Sequence, residues 1–163
     1  MIREYREASD RPWAEAYLER EFGGAVQARR GELLDVLALP GFVAERDGRP
    51  VGIATYRLEG GECELAFIAA FEPRGGVGSA LLDAVVEAAA GCERVWLVTT
   101  NDNLDALRFY QRRGFRLSAL RPGAVDEARG TLKPRISATG AFGIPLRDEL
   151  ELELLLGDHL RTP

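Results

Sequence analysis

The chain has 163 residues, 46% hydrophobic and 29% charged, proportions that suit one folded domain over 1–163 with its own core and exclude a disordered chain. Its 21 basic and 26 acidic residues leave a formal charge of −5, which argues against nonspecific nucleic-acid binding. No run approaches the roughly 18 apolar residues of a membrane span, and Met1 to Glu7 lacks the apolar stretch of a secretory signal, so a soluble cytoplasmic protein is expected. Ile2 to Arg6 reads as a short first strand. Trp13, Tyr17 and Leu18, with Phe22 behind them, mark one face of a helix over 10–22. Asp10 stands where an N-cap belongs, Pro12 suits a first turn, and Gly23-Gly24 ends the helix. A second short helix is expected over 32–39, stopped before Pro40.

Phe42 to Arg46 and Val51 to Leu58 read as strands joined at Asp47-Gly48, a pair that tolerates positive φ at both turn positions. A strand over 62–69 follows Gly60-Gly61. In the helix expected over 78–90, Val77, Leu81, Val85 and Ala89 lie four apart, with Ser79, Asp83 and Glu87 opposite. Val95 to Thr99 is almost unbroken apolar, as a strand covered on both faces should be. Asn103 caps a helix that ends at Gly114, and Phe115 to Leu120 is another strand. Glu149, Glu151 and Glu153 alternate with Leu150, Leu152 and Leu154, which predicts a last strand with one wet and one buried face. Four glycines and three prolines between Arg121 and Pro145 predict a long loop. The order points to an α/β domain with a partly antiparallel sheet.

Two stretches carry chemistry. Gly75-Gly76-Val77-Gly78-Ser79 lies between a strand and an amphipathic helix. Glycines there turn the backbone tightly and aim successive N–H groups at an anion, while the unpaired first-turn amides and the helix dipole add positive character. Leu81 stands where a dinucleotide fingerprint needs its third glycine, and no lysine follows as a P-loop requires, so neither motif is present. The alternative is a tight turn before a helix. The second stretch runs from Asn103 to Phe115, with Ala106, Phe109, Tyr110 and Gly114 between.

Together, Gly-x-Gly opening a helix and Asn-x-x-Ala-x-x-Phe-Tyr-x-x-x-Gly-Phe after the central strand resemble the GNAT superfamily of acyl-coenzyme-A N-acyltransferases. The resemblance covers nearly the whole chain. It implies a mixed, mostly antiparallel twisted sheet of six to seven strands flanked by about four helices, splayed between its fourth and fifth strands, with coenzyme A in the gap. It implies acetyl-CoA as donor, held by Arg74, Gly75, Gly76, Val77, Gly78 and Ser79, the amides of Gly76, Gly78 and Ser79 carrying most of the pyrophosphate binding. One departure stands out. Relatives usually carry Gln or Arg where this chain has Pro73, which has no N–H to donate.

The matching tyrosine of the family lies near the thioester sulfur, so Tyr110 is the candidate acid for the leaving thiolate; its other reading is a core residue beside Phe109. Asn103 explains itself as an N-cap, and the family also places it near the pantetheine arm or diphosphate. Glu62 aligns with a glutamate that some relatives use as base, and Glu64 follows two residues on; solvated edge charges are the competing account. The backbone at Ile68 is where the family polarises the thioester carbonyl. Cys63 and Cys92 have no histidine near them in sequence and read as inert thiols, and His159 as a tail residue.

Between Arg121 and Arg147 five basic residues (121, 129, 133, 135, 147) face Asp126 and Glu127, a local charge of +3. This suggests an acceptor bearing an anion beside its amine, or a solvated loop. The expected activity is transfer of an acetyl group to a primary amine of a small molecule or peptide in a ternary complex. A catalytically silent coenzyme-A-binding module, or another nucleotide-phosphate binder, is the rival. The family allows a homodimer, and no nucleic-acid or membrane partner is expected.

Overall fold

The computed structural model describes residues 1–72 and 75–157. In chain order the elements are β1 (Ile2–Glu4), α1 (Glu7–Phe22), β2 (Val26–Arg29), β3 (Glu32–Asp35), β4 (Gly41–Arg46), β5 (Arg49–Glu59), β6 (Glu62–Ala70), α2 (Val77–Ala88), β7 (Arg94–Thr100), α3 (Leu104–Arg112), β8 (Arg116–Arg121), α4 (Ala124–Thr131) and β9 (Glu149–Leu155), with 3-10 turns at Val36–Ala38 and Ala141–Gly143. Among the described residues the fold is mixed α/β: seven sheet strands, a two-stranded ribbon and four α-helices. The chain forms two compact units, Met1–Gln27 with Asp35–Val95, and Ala28–Leu34 with the chain from Trp96 onward. Among the described residues no helix is long and apolar enough to cross a membrane.

In the first unit β1, β4, β5 and β6 follow one another antiparallel. The turn at Asp47-Gly48 has φ of 53° and 73°, the geometry that lets a two-residue hairpin follow the strand twist. α2 lies on this sheet through the stripe expected for it, Val77, Leu81, Val85 and Ala89 all being buried. Gly52 of β5 makes the fit: a Cβ there would stand 2.6 Å from Val77 Cγ1 and 2.9 Å from Leu81 Cδ1.

α1 begins at Glu7, three residues before the expected start, and Asp10 is not its N-cap. Arg6 takes that place, and the Asp10 carboxylate reaches back to accept the Arg6 N–H at 2.8 Å. The buried stripe is Asp10, Ala14 and Leu18. Trp13, Tyr17 and Phe22 flank it and meet Phe71 and Phe67 edge-on or tilted. Pro12 lies inside α1 rather than in its first turn. Its exposed position leaves the carbonyl it cannot pair with open to water.

The helix expected over 32–39 is absent. Arg30 and Gly31, at φ of 52° and 74°, fold the chain into the β2–β3 ribbon, and only Val36–Ala38 is helical, its start capped by Asp35 accepting from Leu37 N. A side-chain pattern with four-residue spacing was outweighed by a turn whose first residue is an unusual one for positive φ.

In the second unit the strand order is β7-β9-β8, with β8 and β9 antiparallel. The long loop after β8 contains a helix, α4, whose preceding Gly123 N–H is accepted by Asp148. The wet face expected for β9 is wrong for its first two glutamates: Glu149 and Glu151 are buried, 4% and 6% exposed. Arginines replace water around them. Arg121 Nε lies 3.4 Å from Glu149 Oε2, and Arg121 Nη1 3.4 Å from Glu151 Oε1.

Candidate active site

β6 runs toward the glycine turn and carries one extra residue. Thr55 pairs with Phe67 and Tyr56 with Leu65, which leaves Ala66 without a partner. Directly opposed residues share a face, so Glu62 and Glu64, opposite Glu59 and Arg57, lie on the face of Phe67, the side where Phe22 of α1 packs at 5.1 Å. Ile68, opposite Ala54, lies on the α2 face. Plain alternation would have put Ile68 with the two glutamates; the bulge separates them. Phe71 donates to Val51 O at 2.9 Å. In that register Phe67 and Ala69 bond to β5, and the N–H of Ile68 points away from it.

Glu62 is gripped by Arg94, whose Nε and Nη2 lie 2.9 and 3.3 Å from its two carboxylate oxygens. A proton acceptor in that state must first shed a donor. Glu64 is 3% exposed, with Arg57 Nη2 at 4.0 Å. Burial pushes the neighbouring Cys63 thiol up to about 12, so it stays protonated and is a poor nucleophile at neutral pH.

The turn before α2 is built by Gly75 and Gly76, at φ of 100° and 72°, where any other residue would be strained. Ala80 N is the first amide to close a helical bond, onto Gly76 O at 2.9 Å. The amides of Val77, Gly78 and Ser79 therefore have no partner within the helix. Arg46, on the β4–β5 hairpin, is ion-paired with Glu72 and reaches beside Gly75, whose added Cβ would lie 3.0 Å from Arg46 Nη2. A cavity of about 410 Å³ lined by Arg46, Gly48, Val51, Gly75, Gly76 and Val77 opens there. Pro73 and Arg74 lie outside the described residues, as does His159.

In the second unit, Asn103 caps α3, its Oδ1 accepting from Ala106 N at 3.2 Å. Tyr110 is 6% exposed and wedged between Phe109 and Phe115, with ring centroids 5.2 and 5.4 Å away. Burial pushes its phenol well above the ordinary tyrosine value. The group stays protonated through the neutral range, and no hydrogen bond engages its hydroxyl among the described residues.

The sequence reading missed the clamp that precedes Asn103. Asn101 donates to Pro145 O at 2.8 Å and accepts from the amides of Arg147 and Asp148, both at 3.0 Å. Asp102 accepts from Ala141 N at 2.8 Å and from the Thr100 hydroxyl. These side chains hold the segment between α4 and β9. Arg129 binds it from the other side, donating to the carbonyls of Ile136, Ser137 and Leu146. Thr-Asn-Asp-Asn directly after an apolar strand was the available signal: four hydrogen-bonding side chains where a cap needs one. Of the five cations expected to receive an anion, Arg129 is committed to this framework and Arg121 to Glu149 and Glu151.

Comparison with known proteins fits this architecture. Residues 2–115 match the family model described as "Acetyltransferase (GNAT) family". The protein YdhI of Bacillus subtilis (strain 168) is 43% identical over 115 residues, 69% of this chain and 71% of its own. YxbD of the same organism is 35% identical over 140 residues, 84% of this chain and 87% of its own. Among solved structures, an IAA acetyltransferase from Bacillus cereus ATCC 14579 superimposes with a TM-score of 0.73 at 21% identity, over 96% of this chain and 99% of its own. A GNAT family acetyltransferase from Elizabethkingia anophelis, solved with acetyl-CoA bound, gives 0.70 at 16% identity, over 96% and 97%. The two motifs foreseen from sequence, the strand order within each unit and a family match over more than two thirds of the chain agree, and the chain belongs to the GNAT acetyltransferase family.

Proposed function

We propose that this protein is an N-acetyltransferase that moves an acetyl group from acetyl-CoA to a primary amine by direct attack. The observation that carries the reading is the Gly75-Gly76 turn, which opens α2 with three amides unpaired within the helix. An anion of diphosphate character fits that cradle without any side-chain charge. Val77, Gly78 and Ser79 would hold it through backbone N–H groups, with Arg46 a cation beside Gly75. Asn103 would keep its capping role and border the pantetheine arm.

In the reaction the amine nitrogen attacks the thioester carbonyl, the C–S bond breaks, and the amine's surplus proton must leave. The Ile68 N–H, aimed away from β5, is free of that strand to donate to the carbonyl oxygen as it gains charge. Tyr110 donates to the departing sulfur. Its raised pKa makes it a hydrogen-bond donor that never ionises at working pH. Glu64, or Glu62 once released by Arg94, takes the proton directly or through water.

Incubating the protein with acetyl-CoA and a panel of primary amines, and following thiol release, tests the reading. Release above the hydrolytic background with at least one amine is expected, together with a heat-shift stabilisation by coenzyme A and none by ATP or NAD. A protein that only bound the coenzyme would show the heat shift and no release.

A further inference from the structure

The β4–β5 hairpin brings a cation to the glycine turn. Arg46 ends β4, and its Nη2 would stand 3.0 Å from a Cβ added at Gly75. It is ion-paired with Glu72, which lies just past β6 and just before the turn. Both side chains are about half exposed, 49% and 50%. An ion pair so open to water holds weakly and exchanges readily for a stronger anion. Pro73 offers the turn neither a side-chain donor nor an N–H, so Arg46 supplies from a neighbouring hairpin the charge that this position lacks.

The cavity of about 410 Å³ beside Arg46 falls within the roughly 300–1,000 Å³ of small-molecule sites. Gly75, Gly76 and Val77 belong both to its wall and to the turn that bares the α2 amides. Gly75 and Gly76 are exposed, so a ligand reaches both from solvent. Ile2, Val51, Val77 and Ala80 give the cavity an apolar side. Of the two carboxylates on its wall, Glu45 is held by Arg3 at 2.7 Å, and Asp47 on the hairpin turn is an acceptor for hydroxyl or amino donors. A flat body with a few donors and a phosphate of its own matches this lining.

We propose that the cavity takes the adenosine end of coenzyme A and that Arg46 leaves Glu72 to bind its 3′-phosphate, so that the chain distinguishes coenzyme A from its dephospho form. The proposal rests on the acetyl-CoA reading above. The α2 amides hold the diphosphate without side-chain charge, which leaves the Arg46 fork for the further phosphate. A guanidinium meets a phosphate through two parallel N–H···O bonds, and the dianion draws it more strongly than one exposed carboxylate does. Glu72 thus holds the fork beside the turn and competes with the phosphate for it. ATP and NAD carry no 3′-phosphate and give Arg46 no such partner.

Calorimetric titration of the protein with coenzyme A and with 3′-dephospho-coenzyme A tests this without turnover. Coenzyme A is expected to bind about tenfold more tightly. In Arg46→Gln its Kd should rise about tenfold and meet that of the dephospho form, which stays unchanged. Glu72→Gln should tighten coenzyme A by about threefold and leave the dephospho form unchanged. Both variants remove the same ion pair, so a merely structural role would move the two in the same direction and with both ligands. Opposite movements confined to one ligand mark competition for the fork.

Equal affinity of the parent for the two ligands overturns the 3′-phosphate site, as does an Arg46→Gln variant that keeps the difference or weakens both ligands alike; amine-dependent thiol release then still keeps the transferase reading. Coenzyme A unmoved or weakened by Glu72→Gln overturns the exchange between carboxylate and phosphate. Binding of neither ligand, with no thiol release, overturns the transferase reading and this site with it.

Discussion

Asp10 shows how much one side chain can organise. It is 2% exposed and accepts from both Nη atoms of Arg3 at 2.8 Å, from Arg6 N and from the Trp13 indole. The Arg3 hydrogen bonds, foremost, lower its pKa from 3.8 to about 2. A folded-state value below the unfolded one contributes stability above the unfolded pKa that is lost as pH falls through the folded value. The shift corresponds to about 2 kcal/mol, whole above about pH 4 and gone below about pH 2. Asp10→Ala should therefore cost about 2–3 kcal/mol at pH 7 in urea unfolding, and the gap to the parent should narrow by pH 3. Tyr110 makes its prediction in kinetics. Tyr110→Phe keeps the ring between Phe109 and Phe115 and removes only the donor, so kcat should fall about 10²-fold with coenzyme affinity little changed. An undiminished kcat would remove the hydroxyl from the reaction. Asp10 and Tyr110 were equally visible as letters, but only the tyrosine sat in a recognisable motif. Asp10 took its meaning from Arg3, a partner on another element.

Among the elements, α2 and β6 position the proposed donor site, and their fit depends on a missing side chain. Gly52→Ala would place a methyl 2.6 Å from Val77 Cγ1 and 2.9 Å from the Ala69 carbonyl oxygen. Overpacking of that kind costs about 1–3 kcal/mol. Because α2 carries the glycine turn, the variant should also show a smaller heat shift with coenzyme A than the parent. An unchanged Tm would mean that α2 shifts freely on the sheet. The helix itself was legible, since four-residue spacing of Val77, Leu81, Val85 and Ala89 has one reading. The β6 bulge was not, because an extra residue at Ala66 is visible only against the register of β5. The ribbon failed for a related reason: Gly31 is an ordinary turn residue but Arg30 is not, and Glu149 from the far end of the chain supplies the support that the Arg30 amide needs.

For the molecule as a whole, Cys63 is a built-in reporter. It is fully buried on β6 with its thiol pushed up to about 12, whereas Cys92 is partly exposed. In the native protein an aromatic disulfide reagent should modify Cys92 readily and Cys63 only at the rate at which the chain opens, a rate that rises with urea in step with global unfolding. Fast modification of both would contradict the buried position. Local patterns were enough for the family, for the glycine turn with its helix and for the order of the elements apart from the β2–β3 ribbon and α4, because these rest on neighbouring residues: periods of two and four, caps, and residues that tolerate positive φ. Tertiary structure alone decided which charges are buried. Glu149 and Glu151 have the alternating pattern of a solvated strand face, yet arginines distant in sequence cover them, and whether a charge meets water or a counter-ion depends on what the fold brings alongside it.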